Sequence, residues 1–266
     1  MIDESYNIKE TVTMRHAKNC DFNRVQDYLR DNWDDGNHIF VRNTEYFEYF
    51  SVIDGKFNMY IAEGKLSKKL YGICGYVICN RNIISDMQIN LLHVQENHNN
   101  FNSIIFIDFI KKDSKCRIFS SCGVRPRANM IYKFLGYHTG KLNHYYMLAD
   151  KEEYKIAVIK NKPIRRVARN GYKLKLLKTM DELKKHFNIQ AYKGMKPFKD
   201  DWCIEHRYYN NMAYTYLVYG IDKGEKVFDS ILVCREVIHN ETKICKIVDF
   251  IGIDEDIGNL SKEFNN

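Results

Sequence analysis

Apolar residues recur along the chain in two spacings, and each predicts an element. Phe22, Val25, Leu29 and Trp33 fall on one face of a helix, with Asp21 placed to cap its start. Asp34, Asp35 and Gly36 predict its end. A second short helix follows Thr44 and carries Tyr46, Phe47, Tyr49 and Phe50. Alternation then takes over. Residues 57–62 and 70–79 predict two strands of a hairpin, joined by the polar turn 63–69. Residues 85–94 predict a third strand, with Met87, Ile89, Leu91 and His93 on one face and Gln88, Asn90, Leu92 and Val94 on the other. After the polar loop 95–100, residues 101–111 predict a helix apolar on most sides, which should therefore be buried. Residues 117–124 predict a fourth strand. Pro126 opens a further helix with Met130, Ile131, Phe134 and Leu135 on its apolar face and Gly136 at its end. Residues 144–148 predict a last strand.

The second half repeats the pattern. Thr179 and Glu182 form a capping box ahead of Leu183, His186 and Phe187. Residues 214–219, 228–236 and 244–251 then predict three strands. The order of helix, strand hairpin and strand echoes the first half, and the chain ends at Asn266 where the next helix of a repeat would begin. This predicts one complete unit followed by an incomplete copy.

Charge changes this picture in one segment. Residues 151–199 hold 12 lysines and 3 arginines against 4 acids, a local +11, so the rest of a chain with net charge +7 carries −4. A general nucleic-acid binder would spread its basic face through a folded domain. The segment reads either as a solvated connector or as a surface for phosphate-bearing substrates, coenzyme A (CoA) or anionic lipid headgroups. No apolar run reaches the roughly 18 residues a membrane span needs, and the polar, acidic first ten residues are not a secretory signal. Eight cysteines without Cys-x-x-Cys spacing argue against a zinc ribbon and for a reducing, cytoplasmic setting. Ser120-Ser-Cys-Gly123 is not a nucleophile elbow. There is no phosphate-binding Gly-x-x-x-x-Gly-Lys and no His-Glu-x-x-His, so no metal is expected.

The element order, with Ile131-Tyr-Lys-Phe-Leu-Gly-Tyr137, resembles the GNAT acyltransferase superfamily and its Leu-Tyr-x-x-x-Gly-Phe signature. Three further stretches resemble a bacterial subgroup with two GNAT units, associated with surface-polysaccharide biosynthesis. They are Asn37-His-Ile-Phe40, Thr139-Gly-Lys-Leu-Asn-His-Tyr-Tyr146 and Lys246-Ile-Val-Asp-Phe-Ile-Gly252. The resemblance spans roughly residues 10–252. It implies an α+β fold, a GNAT-like and mostly antiparallel sheet flanked by helices, followed by an incomplete second GNAT-like unit. The implied boundaries are 1–150 for the acyltransferase domain, 151–178 for a basic connector and 179–266 for the partial unit.

The resemblance also implies the chemistry: acyl transfer, with acetyl expected, from acyl-CoA to the amine of an amino sugar. Such a reaction needs a base for the amine proton and an acid for the leaving thiolate. Free backbone N–H groups at a helix start would hold the pyrophosphate. Tyr132 is where the resemblance puts the acid, although in a chain with 19 tyrosines it can simply pack. His93 ends the third strand, either as a base or as a satisfied core histidine. Val94, Asn100, Phe101, Asn102 and Ser103 occupy the donor-binding positions. The superfamily loop is glycine-rich, whereas residues 99–103 contain no glycine. Either asparagine side chains replace part of the phosphate contact, or the donor site has decayed, or the donor differs.

His38, Phe40, Asn143 and His144 come from the subgroup-like motifs and would bind substrate or serve as structural hydrogen-bonding groups. Arg207-Tyr-Tyr-Asn-Asn-Met-Ala-Tyr-Thr-Tyr216 resembles another stretch of the subgroup, so that Arg207 would hold a sugar phosphate. Asp249 would face substrate or stand as a strand-end charge. The expected partner is a small-molecule or lipid-linked amino sugar, not nucleic acid. Peripheral membrane contact and a homodimer are further options. Two other readings stand beside this one: an aminoacyl transferase of cell-wall synthesis, and a GNAT fold kept as a non-catalytic binding module. A shortened reading frame would explain the ending equally well.

Overall fold

Strands form where the apolar residues alternate. The computed structural model describes residues 10–33, 37–95, 101–148, 153–160 and 171–265. The chain divides into unit 1, Met1–Lys141, and unit 2, Leu142–Asn266. Unit 1 runs β1 (Val12–His16), α1 (Phe22–Asn32), α2 (Ile39–Arg42), α3 (Thr44–Ser51), β2 (Val52–Ile53), β3 (Lys56–Phe57), β4 (Met59–Gly64), β5 (Leu70–Ile78) and β6 (Asp86–Val94). It continues with α4 (Ser103–Ser114), β7 (Ile118–Ser121) and α5 (Pro126–Phe134). Five of its strands form one sheet in the order β1-β4-β5-β6-β7, antiparallel except for the parallel β6–β7 pair. The result is an α+β fold with a mostly antiparallel sheet. Two short helices are initiated by side chains: His38 accepts from the Phe40 amide at the start of α2, and Asn43 from the Tyr46 amide at the start of α3.

The helix pattern holds for α1, where Val25 and Leu29 are fully buried. Each such side chain contributes about 1.5–3 kcal/mol. Asp21 does not cap α1 with its side chain. Its buried carboxylate accepts from Arg15 at 2.7 and 3.0 Å, from Arg24 at 2.5 Å and from the Lys18 amide at 2.8 Å. Glu63 takes the same two guanidiniums at 2.9 and 2.8 Å. This ring of charges ties β1 and α1 to β4. Burial pushes the Asp21 carboxyl up, but Arg15 and the Lys18 amide outweigh it and hold it at about 2.

Two sequence expectations for the first half of the chain fail. Residues 144–148 form no strand, and residues 141–147 are exposed. The faces of β6 are also not those that plain alternation predicts. Gly75 pairs with Leu91 and Tyr76 with Ile89, which leaves Asn90 as an extra residue. A bulge of this kind turns over every side chain beyond it. Met87, Ile89, Leu92 and Val94 therefore pack with Phe101, Phe106 and Ile110 on the α4 side. His93 instead reaches Tyr28 of α1. Gly75 makes room for the bulge: a Cβ there would lie 2.8 Å from Asn90 Oδ1 and 2.8 Å from Met59 Sδ. The helix α4 buries Phe106, Ile107 and Ile110, while Ile105 stays exposed.

Unit 2 runs β8 (Lys173–Leu176), α6 (Met180–His186), α7 (Asp201–Ile204), a π turn (Glu205–Tyr209), β9 (Leu217–Asp222), β10 (Ile231–His239), β11 (Thr242–Ile251) and α8 (Glu255–Gly258). Its four strands are antiparallel in the order β11-β10-β9-β8. The echo is fuller than the hydrophobic pattern predicts. Both units begin with a strand, β1 and β8, that this pattern does not reveal, and β8 lies within the basic stretch 151–178. Thr179 caps α6 as expected. β11 carries a bulge at the position equivalent to that of β6: Val233 pairs with Asp249 and Cys234 with Ile247, leaving Val248 extra. Leu177, Leu183, Phe187, Ile204, Val218, Ile231, Val233 and Ile251 form the core on one face of this sheet. Ile221, Leu232, Cys234 and Leu260 form the core on the other.

Candidate active site

The bulge at Asn90 opens the sheet of unit 1. β7 pairs with β6 only over Asp86–Ile89. Beyond the bulge, β6 bonds to β5 alone among the described strands. The Gln95 amide points to Tyr71 of β5 at 2.8 Å. By alternation, the N–H and C=O groups of Leu92 and Val94 point to the unpaired edge. Val94, expected to bind the donor, thus lies on a strand edge that an extended ligand can join.

The start of α4 comes next after this edge. Asn102 is its cap and accepts from the Ile105 amide at 3.1 Å, and its carbonyl takes Phe106 at 3.1 Å. The helix ladder leaves the Ser103 and Ile104 amides without an intrahelical partner. Asn102 therefore serves the helix, and the Ser103 amide is one that an anion can take up. Phe101 is buried against Phe106, with ring centres 5.7 Å apart. Neither Phe101 nor Asn102 has a positive φ, so the glycine conformation is not mimicked there. Asn100 lies outside the described residues.

Tyr132 is buried on α5. A hydrogen bond links it to Ser121, the residue of β7 that pairs with Ile89 just before the bulge. Burial, reinforced by the nearby Cys74 thiol, pushes the phenol up to about 12 against the lowering effect of Ser121. It therefore keeps its proton at neutral pH. Gly136 ends the helix with φ +79°, and the Tyr137 amide donates to the Tyr132 carbonyl at 2.9 Å.

On the opposite face of the sheet, His93 Nδ1 meets the Tyr28 hydroxyl at 2.9 Å. Burial first, and the Arg125 charge second, lower the pKa of the ring below the ordinary imidazole value. The ring is neutral at pH 7. The Tyr28 hydroxyl sets its tautomer: as acceptor from Nδ1–H it leaves a lone pair on Nε2, and as donor it leaves a hydrogen there. Trp33 packs edge-on to both His93 (5.9 Å) and His38 (6.0 Å), and His38 lies 4.8 Å from Phe40. The structure thus brings His93, His38 and Phe40 into one aromatic wall through Tyr28 and Trp33. No signal in the sequence marks either of the latter two as functional.

Four expected residues lie in unit 2. Asn143 and His144 are exposed on a stretch without regular structure, where the Asn143 amide reaches the Tyr145 hydroxyl at 3.2 Å. Asp249, directly after the second bulge, is bonded by the Lys199 ammonium and the Tyr208 hydroxyl. Arg207 lies 5.6 Å from the centre of the Tyr208 ring. Burial holds the Tyr208 phenol well above its usual range. Among the described residues no cluster of three His, Cys, Asp or Glu suits a metal ion, and no helix is long and apolar enough to cross a membrane.

No family model matches the sequence, and no curated protein matches it significantly. Solved structures do. A GCN5-related N-acetyltransferase from Anabaena variabilis aligns over 96% of this chain and 63% of its own length, with 11% identity and a TM-score of 0.56. An N-myristoyltransferase from Saccharomyces cerevisiae with bound myristoyl-CoA aligns over 97% of this chain and 68% of its own, with 12% identity and a TM-score of 0.47. An aminoglycoside N-acetyltransferase in complex with CoA aligns over 52% of this chain and 95% of its own, with 12% identity and a TM-score of 0.40. The Anabaena likeness shows a GNAT fold. The other two are too loose to argue from.

Proposed function

We propose that the chain is an N-acyltransferase that moves an acyl group, acetyl in the simplest case, from acyl-CoA to the amine of an amino sugar destined for a surface polysaccharide. The observation that carries this reading is the parting of β6 and β7 at Asn90, beside a helix start and a buried neutral phenol. The backbone groups of Leu92 and Val94 fit an extended amide-bearing arm, and the Ser103 and Ile104 amides fit a pyrophosphate. Acyl-CoA would supply an activated thioester. His93, in the tautomer whose Nδ1–H donates to the Tyr28 hydroxyl, has a lone pair on Nε2 and takes the proton of the attacking amine. Tyr132 holds a proton beside the position of the leaving sulfur. Its high pKa makes it a donor only once a strongly basic thiolate develops. Trp33 and His38, backed by the buried Phe40, give the flat face of a sugar ring an apolar surface.

Titration of the purified chain with acetyl-CoA, with free CoA as comparison, tests this reading. Micromolar binding supports it. No heat of binding at millimolar ligand removes it and leaves a GNAT fold used for binding alone.

A further inference from the structure

We propose that unit 2 carries its own binding site for a phosphorylated ring compound, built from Arg207, Arg235, Lys246 and Lys199 around the β11 bulge, with Tyr214 and Tyr216 as its aromatic walls. The proposal rests on the acyltransferase reading only for which ring is carried. The anion site rests on unit 2 alone.

The bulge places these residues together. Arg235 of β10 pairs directly with Lys246 of β11, and Val233 with Asp249, across the extra residue Val248. Alternation on β10 puts Arg235 on the face of Val233, and the bulge brings Lys246 and Asp249 to that same face. Two cations directly opposite each other in a sheet repel, and a sequence selected for stability alone avoids the pair. Unit 1 shows the uncharged alternative. At the equivalent register, Val77 pairs with Gln88 and Gly75 with Leu91. One backbone device thus carries neutral residues in unit 1 and a charge excess in unit 2.

The aromatic residues are arranged around the cations. The Arg235 guanidinium lies 3.6 Å from the centre of the Tyr214 ring and hydrogen-bonds Tyr216. Arg207 acts electrostatically on Tyr216 as well and lies over Tyr208. Tyr208 and Tyr216 meet edge to face at 5.3 Å. Lys199 and Asp249 neutralise each other, with side chains 17% and 10% exposed. Arg235 and Lys246, opposite each other, then add positive charge beyond the Lys199–Asp249 pair. Planar guanidiniums beside phenol faces suit a ligand with two or more phosphate oxygens and a ring to stack.

The test is calorimetric titration of the full chain with inorganic pyrophosphate and, separately, with glucosamine 1-phosphate and with inorganic phosphate. Arg235→Gln should weaken pyrophosphate binding about tenfold or more, the loss of one charge-assisted contact. Lys246→Gln, on an exposed side chain that folding does not need, should weaken it severalfold. Both variants should leave acetyl-CoA affinity unchanged. Glucosamine 1-phosphate should bind more tightly than inorganic phosphate. The proposal is overturned if neither substitution alters pyrophosphate binding, or if both weaken acetyl-CoA in parallel, which would make the cluster part of the donor site. Pyrophosphate binding that survives in a chain unable to bind acetyl-CoA supports the second site while removing the acyltransferase reading.

Discussion

In unit 1 the extra residue of the bulge is Asn90, seated against Gly75. In unit 2 it is Val248, opposite Val233 and Cys234. Both bulges sit in the same strand of the same four-strand order and turn over the side chains beyond them. The chain then continues differently in the two units. β6 leads to the twelve-residue α4, with uncommitted amides at its start, and then to β7 and α5 with Tyr132. β11 leads to the four-residue α8, and no strand lies beyond it among the described residues. An open edge and a row of free helix-start amides are therefore separable, although a fold name merges them. The bulge creates the edge, and a long helix beside it adds the amides that the proposed donor site uses. Where that helix is missing, the same opening is lined with cations and phenols.

The largest expected effect comes from removing the acid that the proposed reaction assigns to unit 1. Tyr132→Phe should lower kcat about a hundredfold or more while acetyl-CoA binding is retained, as steady-state kinetics and calorimetry would show together. Next comes the pairing that holds the closed half of the cleft. Arg117 donates to the fully buried Asp86 at 2.7 and 2.5 Å at the start of the β6–β7 pair. Arg117→Ala takes the guanidinium away from that buried carboxylate and should cost about 3 kcal/mol in urea unfolding. Gly75→Val gives unit 1 the residue unit 2 has at this place. The crowding at Asn90 and Met59 should cost about 1–3 kcal/mol and weaken acetyl-CoA binding. If affinity is unchanged, the bulge does not shape the donor site.

Two pH effects are smaller. His93 gives up its proton more readily than free imidazole, so the acid limb of kcat/KM should fall below pH 6.5 and disappear in His93→Ala. Asp21, held at about 2 against an ordinary 3.8, contributes stability that is complete above about pH 4 and is lost as pH falls towards 2. Acid titration of Asp21→Asn should lack that step.

Most of the strands are legible in the sequence, because a half-buried strand alternates. The bulge is not, since Asn90 is an ordinary polar residue in an alternating run and only its pairing shows it to be extra. That single residue decides that His93 faces α1 and not the α4 core. β8 is hidden by its lysines: Lys173 and Lys175 alternate with Leu174 and Leu176 on a mostly solvated strand. Asp21 reads as a cap because it precedes a helix, and its long-range partners Arg15 and Glu63 are invisible to local reading. At the proposed site, the resemblance singles out Tyr132 and the strand end singles out His93. Nothing in the sequence singles out Tyr28 and Trp33, because their contacts with His93 join the α1 region to the end of β6.

Amide hydrogen exchange of the full chain, with and without acetyl-CoA, tests the central claim most directly. Protection gained at Leu92, Val94, Ser103 and Ile104, with β11 and α8 unchanged, is the predicted result. Protection gained in unit 2 alone, or at none of these four amides under saturating ligand, would contradict it.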